Sequence, residues 1–454
     1  MDNLESPFKG CIKTMTKLDK LAFLGGRPTL KQRVPAYNTI GSEEKTATLR
    51  VMNSKNLSGF LGRAGDRFRG GPEVRAFEEN FEKKFGVKHA ISFNSATTAL
   101  QAAIGALGIG PGDEVITTPM TMPATATAVL FNGAVPVFAD VDEKNFCLDP
   151  QSVVKKINSR TKAIFAVNLF GGPADYDTLR LIAKRHNLKI IEDSAQAAGA
   201  KYKGQFAGTI GDIGVWSFNV HKIIQSGEGG MLTTNDDGYA YRAELIRNHG
   251  EAVVDDIWET KPEERELIAG SNFRLSELHA AIMGAQLKKL DSLIKNRINL
   301  ADYLTKKIKA SGLDWLIPFE TPREIRCAHY LYPIRVQSKK IGLQRSTIAK
   351  ALIAEGFAVQ EGYQKPLYLM PIFKAKRIFP RTQFPFISKE FPHPDLDYKK
   401  GLCPVAERLY EQELFMVKVC QPPHTKRHID ALILGFKKIA SNIRELQAWE
   451  KTQG

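Results

Sequence analysis

Long apolar runs are missing from this 454-residue sequence. No stretch approaches the roughly 18–20 consecutive apolar residues that cross a bilayer. The opening Met1-Asp2-Asn3-Leu4-Glu5 carries acids where a secretory leader needs a basic region. Together these features predict a cytoplasmic protein with no membrane partner. Cysteine is also scarce. The five residues Cys11, Cys147, Cys327, Cys403 and Cys420 contain no CxxC pair, which points to reduced structural thiols rather than disulfides or zinc. The histidines His186, His393, His424 and His428 lack ligand spacing, so no metal is expected. Heptads, internal repeats and low-complexity tracts are absent as well. A hydrophobic fraction of 43% and a charged fraction of 25% are those of a globular chain with no large disordered portion.

Positive charge, by contrast, is in excess, at a net +15. Lysine and arginine are spread along the chain, without an arginine-rich tail or interleaved aromatics, so a nucleic-acid partner is not expected. Only Lys374-Ala375-Lys376-Arg377 and Lys399-Lys400 form small clusters. A solvated basic surface that also attracts anionic small molecules explains the balance better.

The length calls for more than one domain. We divide the chain into an N-terminal extension (1–45), a large domain (46–290), and a long connecting helix with a smaller C-terminal domain (291–454). From residue 72 onward, short apolar strands alternate with helical stretches. Strands are expected at His89–Phe93, Glu114–Thr118, Val135–Val141, Ala163–Leu169 and Leu188–Glu192. Helices are expected at Pro72–Phe85, Thr97–Leu107, Ala124–Asn132, Pro150–Ile157 and Tyr176–His186. This alternation predicts an α/β fold with a mostly parallel central sheet covered on both faces. Two further strands, Gly214–Phe218 and Gly230–Thr234, flank a glycine-rich turn. A long amphipathic helix from Ser276 to about Ala310 leads into a smaller α/β domain, which ends in a helix near Lys426–Leu446. Gly105-Ala106-Leu107-Gly108-Ile109-Gly110 follows a helix rather than a strand, so it is a turn and not a dinucleotide fingerprint.

In open α/β sheets ligands bind beyond the carboxyl ends of strands, which directs attention to the residues just after each strand. Asn94-Ser95-Ala96-Thr97-Thr98 opens a helix and is either an ordinary N-cap or a phosphate cradle. Glu192-Asp193-Ser194-Ala195-Gln196 ends a strand with an acid. That acid either caps the next helix or faces a ligand, where a carboxylate keeps a pyridine nitrogen protonated. Lys222 lies in Ser217-Phe218-Asn219-Val220-His221-Lys222, before a glycine-rich turn and away from any charged helix face. A lysine in such a setting can form a Schiff base once its surroundings lower its pKa.

Taken in order, these segments resemble the DegT/DnrJ/EryC1/StrS sugar aminotransferases. So do Gly70-Gly71-Pro72-Glu73-Val74, Gly110-Pro111-Gly112-Asp113-Glu114 and Gly270-Ser271-Asn272-Phe273-Arg274. The resemblance runs from about Leu21 to the last helix. It implies the pyridoxal 5'-phosphate (PLP) transferase fold type I, with Lys222 as the cofactor lysine and Asp193 facing the pyridine nitrogen. It further implies Gln196 against the ring, and Ala96, Thr97 and Ser217 at the phosphate. Asn272 would reach the neighbouring subunit's phosphate, which makes a homodimer with shared sites. Ala96 stands where glycine is common, and Met122 stands where the family usually stacks an aromatic on the ring; sulfur can pack there. His329 matches a histidine near the substrate entrance. The implied reaction moves an amino group from glutamate or glutamine to a keto-sugar, nucleotide-linked in the commonest case. The alternatives are a keto-cyclitol acceptor, a PLP-fold sugar dehydratase, and a non-catalytic binding protein. Lys222 at the reactive position, where such dehydratases carry histidine, and the missing cysteine cluster argue against dehydration.

Overall fold

A computed structural model describes residues 20–32, 34–63, 65–250 and 268–453. Nine strands build the large domain: β1 (His89–Phe93), β2 (Glu114–Thr117), β3 (Val135–Phe138), β4 (Thr161–Val167), β5 (Lys189–Asp193), β6 (Lys201–Tyr202), β7 (Gln205–Phe206), β8 (Ile213–Ser217) and β9 (Gly230–Thr234). Seven of them form one sheet in the order β1-β9-β8-β5-β4-β2-β3. Within that sheet only β9 runs antiparallel to its neighbours. The carboxyl ends of β1, β8, β5, β4, β2 and β3 therefore share one edge. Their near-continuous burial explains why the strands read as apolar runs rather than alternating ones.

The helices of this domain are α1 (Ser42–Ser54), α2 (Pro72–Phe85), α3 (Ala96–Ala106), α4 (Pro123–Phe131), α5 (Pro150–Val154), α6 (Tyr176–His186), α7 (Asp237–Arg247) and α8 (Glu277–Lys309). Their starts follow local chemistry. Pro72 and Pro123 occupy first turns, and the side chains of Ser95, Asp149, Asp175 and Ser276 accept first-turn N–H groups. One sheet face is sealed by α3, α4 and α7, through Leu100, Ile104, Val129 and Ala243. The other face includes an aromatic cluster of Phe77, Phe81, Phe85, Trp216 and Phe218 against α8.

Helix α8 passes without a break through Leu290, where the sequence reading sets a domain boundary. Helix α1 packs along α8 through Ala47, Val51 and Ala281. Before it, the N-terminal strap lies on the C-terminal domain. There, buried Glu355 accepts the N–H groups of Ala22 and Thr29, each at 2.8 Å, and pairs with Lys438 at 2.7 Å.

The C-terminal domain is a four-stranded antiparallel sheet of β10 (Leu316–Ile317), β12 (Tyr332–Val336), β14 (Leu414–Val417) and β13 (Val359–Glu361). The remaining strand, β11 (Ile325–Arg326), pairs instead with β6 and extends the β6–β7 hairpin. The single final helix expected from the sequence is two, Lys426–Ser441 and Ile443–Lys451. Asn442 leaves helical geometry (φ −121°, ψ 30°), and its side chain bonds the Lys438 carbonyl at 2.8 Å. That local competition is typical of asparagine. The described cysteines Cys147, Cys327, Cys403 and Cys420 are buried free thiols, as expected, and Cys11 lies outside the described residues. No described helix is long and apolar enough to cross a membrane.

Candidate active site

The carboxyl edge of the sheet carries Ser95, Asp193 and Ser217, whereas His329 is buried against Tyr332 and Asn272 bridges to Asn248. Phe93, Gly230 and Ser217 lie side by side in register on β1, β9 and β8. Asp193, the last residue of β5, pairs with Val215 on β8. Beyond β1, Ser95 caps α3 and accepts the Thr98 N–H at 3.2 Å. The N–H groups of Ala96 and Thr97 sit in the first turn, where no helical carbonyl exists to receive them. Gly230 permits this approach: a Cβ there would stand 2.5 Å from the Ser95 carbonyl and 2.6 Å from the Ala96 nitrogen. The result is a backbone cradle suited to an anion, with the Ser217 hydroxyl one register step away.

The pleat of β5 separates its two acids. Glu192 points away from the ligand edge and accepts the N–H groups of Gly208 and Gly211, each at 2.7 Å, so it organises a turn. Asp193 takes the other face. Its carboxylate accepts the Thr125 hydroxyl at 2.8 Å and the Ala195 N–H at 3.1 Å. Burial raises its pKa, with Thr125, Ala195 and Lys222 opposing that rise.

Lys222 projects from the turn between β8 and β9, where its N–H donates to the Asn219 carbonyl at 2.8 Å. Its Nζ lies 4.9 Å from the centroid of the Tyr330 ring. Burial lowers its pKa to about 8, against the opposing pull of Asp193. At neutral pH a usable fraction of the amine is therefore unprotonated, as a nucleophile or base requires.

Gln196 is fixed at both ends. Its Oε1 accepts the Phe170 N–H at 2.9 Å, and its Nε2 donates to the Tyr363 hydroxyl at 2.7 Å. Met122 is the N-cap residue before α4 and is 47% exposed. Its sulfur accepts the Gln364 amide at 3.4 Å. Asn272 is exposed and forms a β-bridge with Asn248.

His329 is buried, and its ring stacks on Tyr332 at a centroid distance of 6.1 Å. Burial, reinforced by Arg297, lowers its pKa to about 3, so the imidazole is neutral. The segment carrying it is seated by backbone contact: the Ala328 N–H donates to the Gly171 carbonyl at 2.8 Å and the Tyr330 N–H to Phe170 at 2.9 Å. Gly171 (φ +93°) has no space for a Cβ, which would lie 2.9 Å from the His329 nitrogen.

Sequence reasoning missed Thr125, Tyr330 and Tyr363. Thr125 follows a strand end and could have been found by the same rule that found Asp193. Tyr330 adjoins a residue that was found. Tyr363 comes from the C-terminal domain, and its spacing carries no local signal.

Comparison with known proteins gives the family. Residues 62–415 match the model of the DegT/DnrJ/EryC1/StrS aminotransferase family. The chain belongs to this family. Like the family's other members, it is a PLP-dependent aminotransferase. It is 38% identical to GDP-perosamine synthase from Caulobacter vibrioides over 65% of this chain and 77% of that protein. It is 35% identical to L-glutamine:scyllo-inosose aminotransferase from Streptomyces griseus over 82% of this chain and 87% of that protein. The solved structure of DesI with its TDP-sugar product superposes with a TM-score of 0.77 at 26% identity, covering 95% of this chain and 99% of that one.

The residues present fit PLP. Free first-turn N–H groups and a glycine-cleared approach suit its phosphate, and a buried carboxylate suits its ring nitrogen. A lysine amine with no hydrogen bond or ion pair among the described residues suits its carbonyl carbon.

Proposed function

We propose that this aminotransferase moves an amino group from glutamate or glutamine to a keto-sugar, carried on a nucleotide, for amino-sugar synthesis. The observation that carries the reading is the pairing of a buried Asp193 with a Lys222 whose pKa is lowered to about 8, at the edge that also holds the phosphate cradle. When bound, PLP supplies an electron sink for the bond being broken at the amino-bearing carbon.

The chain's own groups do the rest. The Ala96 and Thr97 N–H groups and the Ser217 hydroxyl bind phosphate. Asp193 holds a protonated ring nitrogen, and Thr125 holds Asp193. Gln196 and Met122 would lie against the ring. Lys222 Nζ would hold the cofactor and, as an unprotonated amine, would take the proton from the donor's α-carbon. His329, expected near the substrate entrance, is instead buried against Phe319 and Tyr332, so this reading gives it no contact with substrate. Asn272, exposed beside the cradle strand, completes the phosphate site of a second copy in a cytoplasmic homodimer. The +15 net charge favours anionic acceptors.

A keto-cyclitol acceptor is the second reading, favoured by the similarity to scyllo-inosose aminotransferase across 82% of this chain. A panel of nucleotide-linked keto-sugars and free keto-cyclitols, with L-glutamate or L-glutamine as donor, separates the two. Amination of the nucleotide-linked sugars supports the first reading. Turnover of keto-cyclitols alone transfers the assignment to the second.

A further inference from the structure

We infer that Arg297 and Tyr37 form a clamp that positions Lys222, joining the N-terminal strap to the reactive amine from the side opposite the sheet. This rests on the reading of Lys222 as the cofactor lysine and adds positioning residues to it.

Arg297 lies on α8 with 1% of its surface exposed, and no acid pairs with it among the described residues. A buried guanidinium without a counter-ion is costly unless its donors are met. Here Nη1 donates to the carbonyls of His329 at 3.0 Å and Tyr330 at 3.3 Å, and Nη2 donates to Gln421 Oε1 at 3.0 Å, while buried Nε has no hydrogen-bond partner among the described residues. The planar group also lies 4.8 Å from the centroid of the Tyr37 ring.

Two of these contacts lead to Lys222. Arg297 holds the backbone of Tyr330, whose ring lies against Lys222 Nζ at 4.9 Å. It also supports Tyr37, whose hydroxyl donates to the carbonyl of Ile223 at 2.6 Å, one residue beyond the lysine. A second tie repeats the pattern. Gln286, also on α8, accepts through Oε1 both the Thr39 hydroxyl of the strap at 2.7 Å and the Gln225 N–H of the lysine turn at 3.2 Å.

The ionisable groups around the clamp are Asp193 from β5, which acts electrostatically on Lys222, and Tyr37, His329, Tyr330 and Cys420, which all feel Arg297. The clamp keeps the lysine turn closed over an amine whose burial makes it easier to deprotonate than an ordinary lysine. If it loosens, water reaches Nζ and the amine moves back towards ordinary lysine behaviour.

The test uses the full-length protein, stripped of PLP and then reloaded. The rate of covalent PLP capture is followed across pH for wild type, Tyr37→Phe and Arg297→Lys, with urea unfolding measured in parallel. Tyr37→Phe keeps the ring on Arg297 and removes only the hydroxyl bond to Ile223. The expected result is a capture midpoint raised by about 0.5–1 pH unit and capture several-fold slower near neutral pH, with a larger effect in Arg297→Lys. A purely structural role would lower the unfolding midpoint and leave the capture midpoint in place. An unmoved or lowered capture midpoint in Tyr37→Phe overturns the clamp, and this variant decides alone if Arg297→Lys does not fold. Lys222→Ala is the control. Covalent capture by that variant would show that the lysine assignment, rather than the clamp, has failed.

Discussion

Replacing Lys222 with methionine should make the cofactor-free protein more stable at neutral pH, although it removes the proposed cofactor lysine. The fall of the lysine pKa from 10.5 to about 8 measures what the fold gives up to bury an ammonium. At about 1.4 kcal/mol per pH unit it amounts to roughly 3 kcal/mol. Lys222 is partly open to solvent, and Asp193 loses a nearby cation in the variant, so the net gain should be roughly 1–2 kcal/mol. The sign follows from linkage. Below the folded value of about 8 the lysine is charged in both folded and unfolded states, and the full cost is present. As the pH rises from there towards 10.5 the folded protein sheds the proton first and the cost fades. Urea unfolding of PLP-free wild type and Lys222→Met at about pH 7 and about pH 9.5 should therefore show an advantage for the variant that shrinks with pH. Adding PLP should reverse the order, because only wild type captures it covalently and gains stability by mass action. A variant that is less stable than wild type by the same amount at both pH values would refute the claim that Lys222 is held strained in a buried site.

Thr125→Val removes the 2.8 Å hydroxyl bond to Asp193. Bonds to charged groups contribute about 1.5–3 kcal/mol, so the Asp193 pKa should rise further and the acid limb of the pH–rate profile should move up by about one unit. Thr125→Ser should restore it. Gly230→Ala drives a Cβ to within 2.5 Å of the Ser95 backbone. Overpacking of about 1–3 kcal/mol should weaken PLP binding by roughly 5- to 150-fold, read by absorbance titration, with the sheet intact by circular dichroism. Glu355→Ala leaves buried Lys438 unpaired and frees the strap. It should cost about 3–5 kcal/mol in urea unfolding. Burial alone would raise the Glu355 pKa, but Lys438, Thr29 and Ala22 bring it below its ordinary value. Its stabilisation is therefore present above the unfolded carboxyl range and lost as pH falls through the folded value, so the wild-type advantage should narrow in acid.

Most of the large domain was legible because parallel strands buried on two faces leave unbroken apolar runs. Pro72–Phe85 and Tyr176–His186 match the structure at both ends, each closed by a residue in left-handed geometry, Gly86 or Asn187. Position relative to strand ends, combined with the family resemblance, singled out Lys222 and Asp193, and the fold brings the two within electrostatic reach. What stayed hidden has a common cause. The two-residue strands β6, β7 and β11 are too short for any periodicity to register. Tyr37, Arg297 and Tyr363 act through partners tens to hundreds of residues away. Only the folded chain brings such contacts together, and neither residue type nor local spacing announces them.

The central claim is that Lys222 carries the cofactor. Borohydride reduction of the PLP-loaded protein fixes the cofactor to its lysine as a stable secondary amine, and peptide mass spectrometry locates it. The adduct is expected on the peptide containing Lys222, and is expected to be absent when the protein is first treated with L-glutamate or L-glutamine. An adduct on another lysine, or none in a protein that visibly binds PLP, would contradict it.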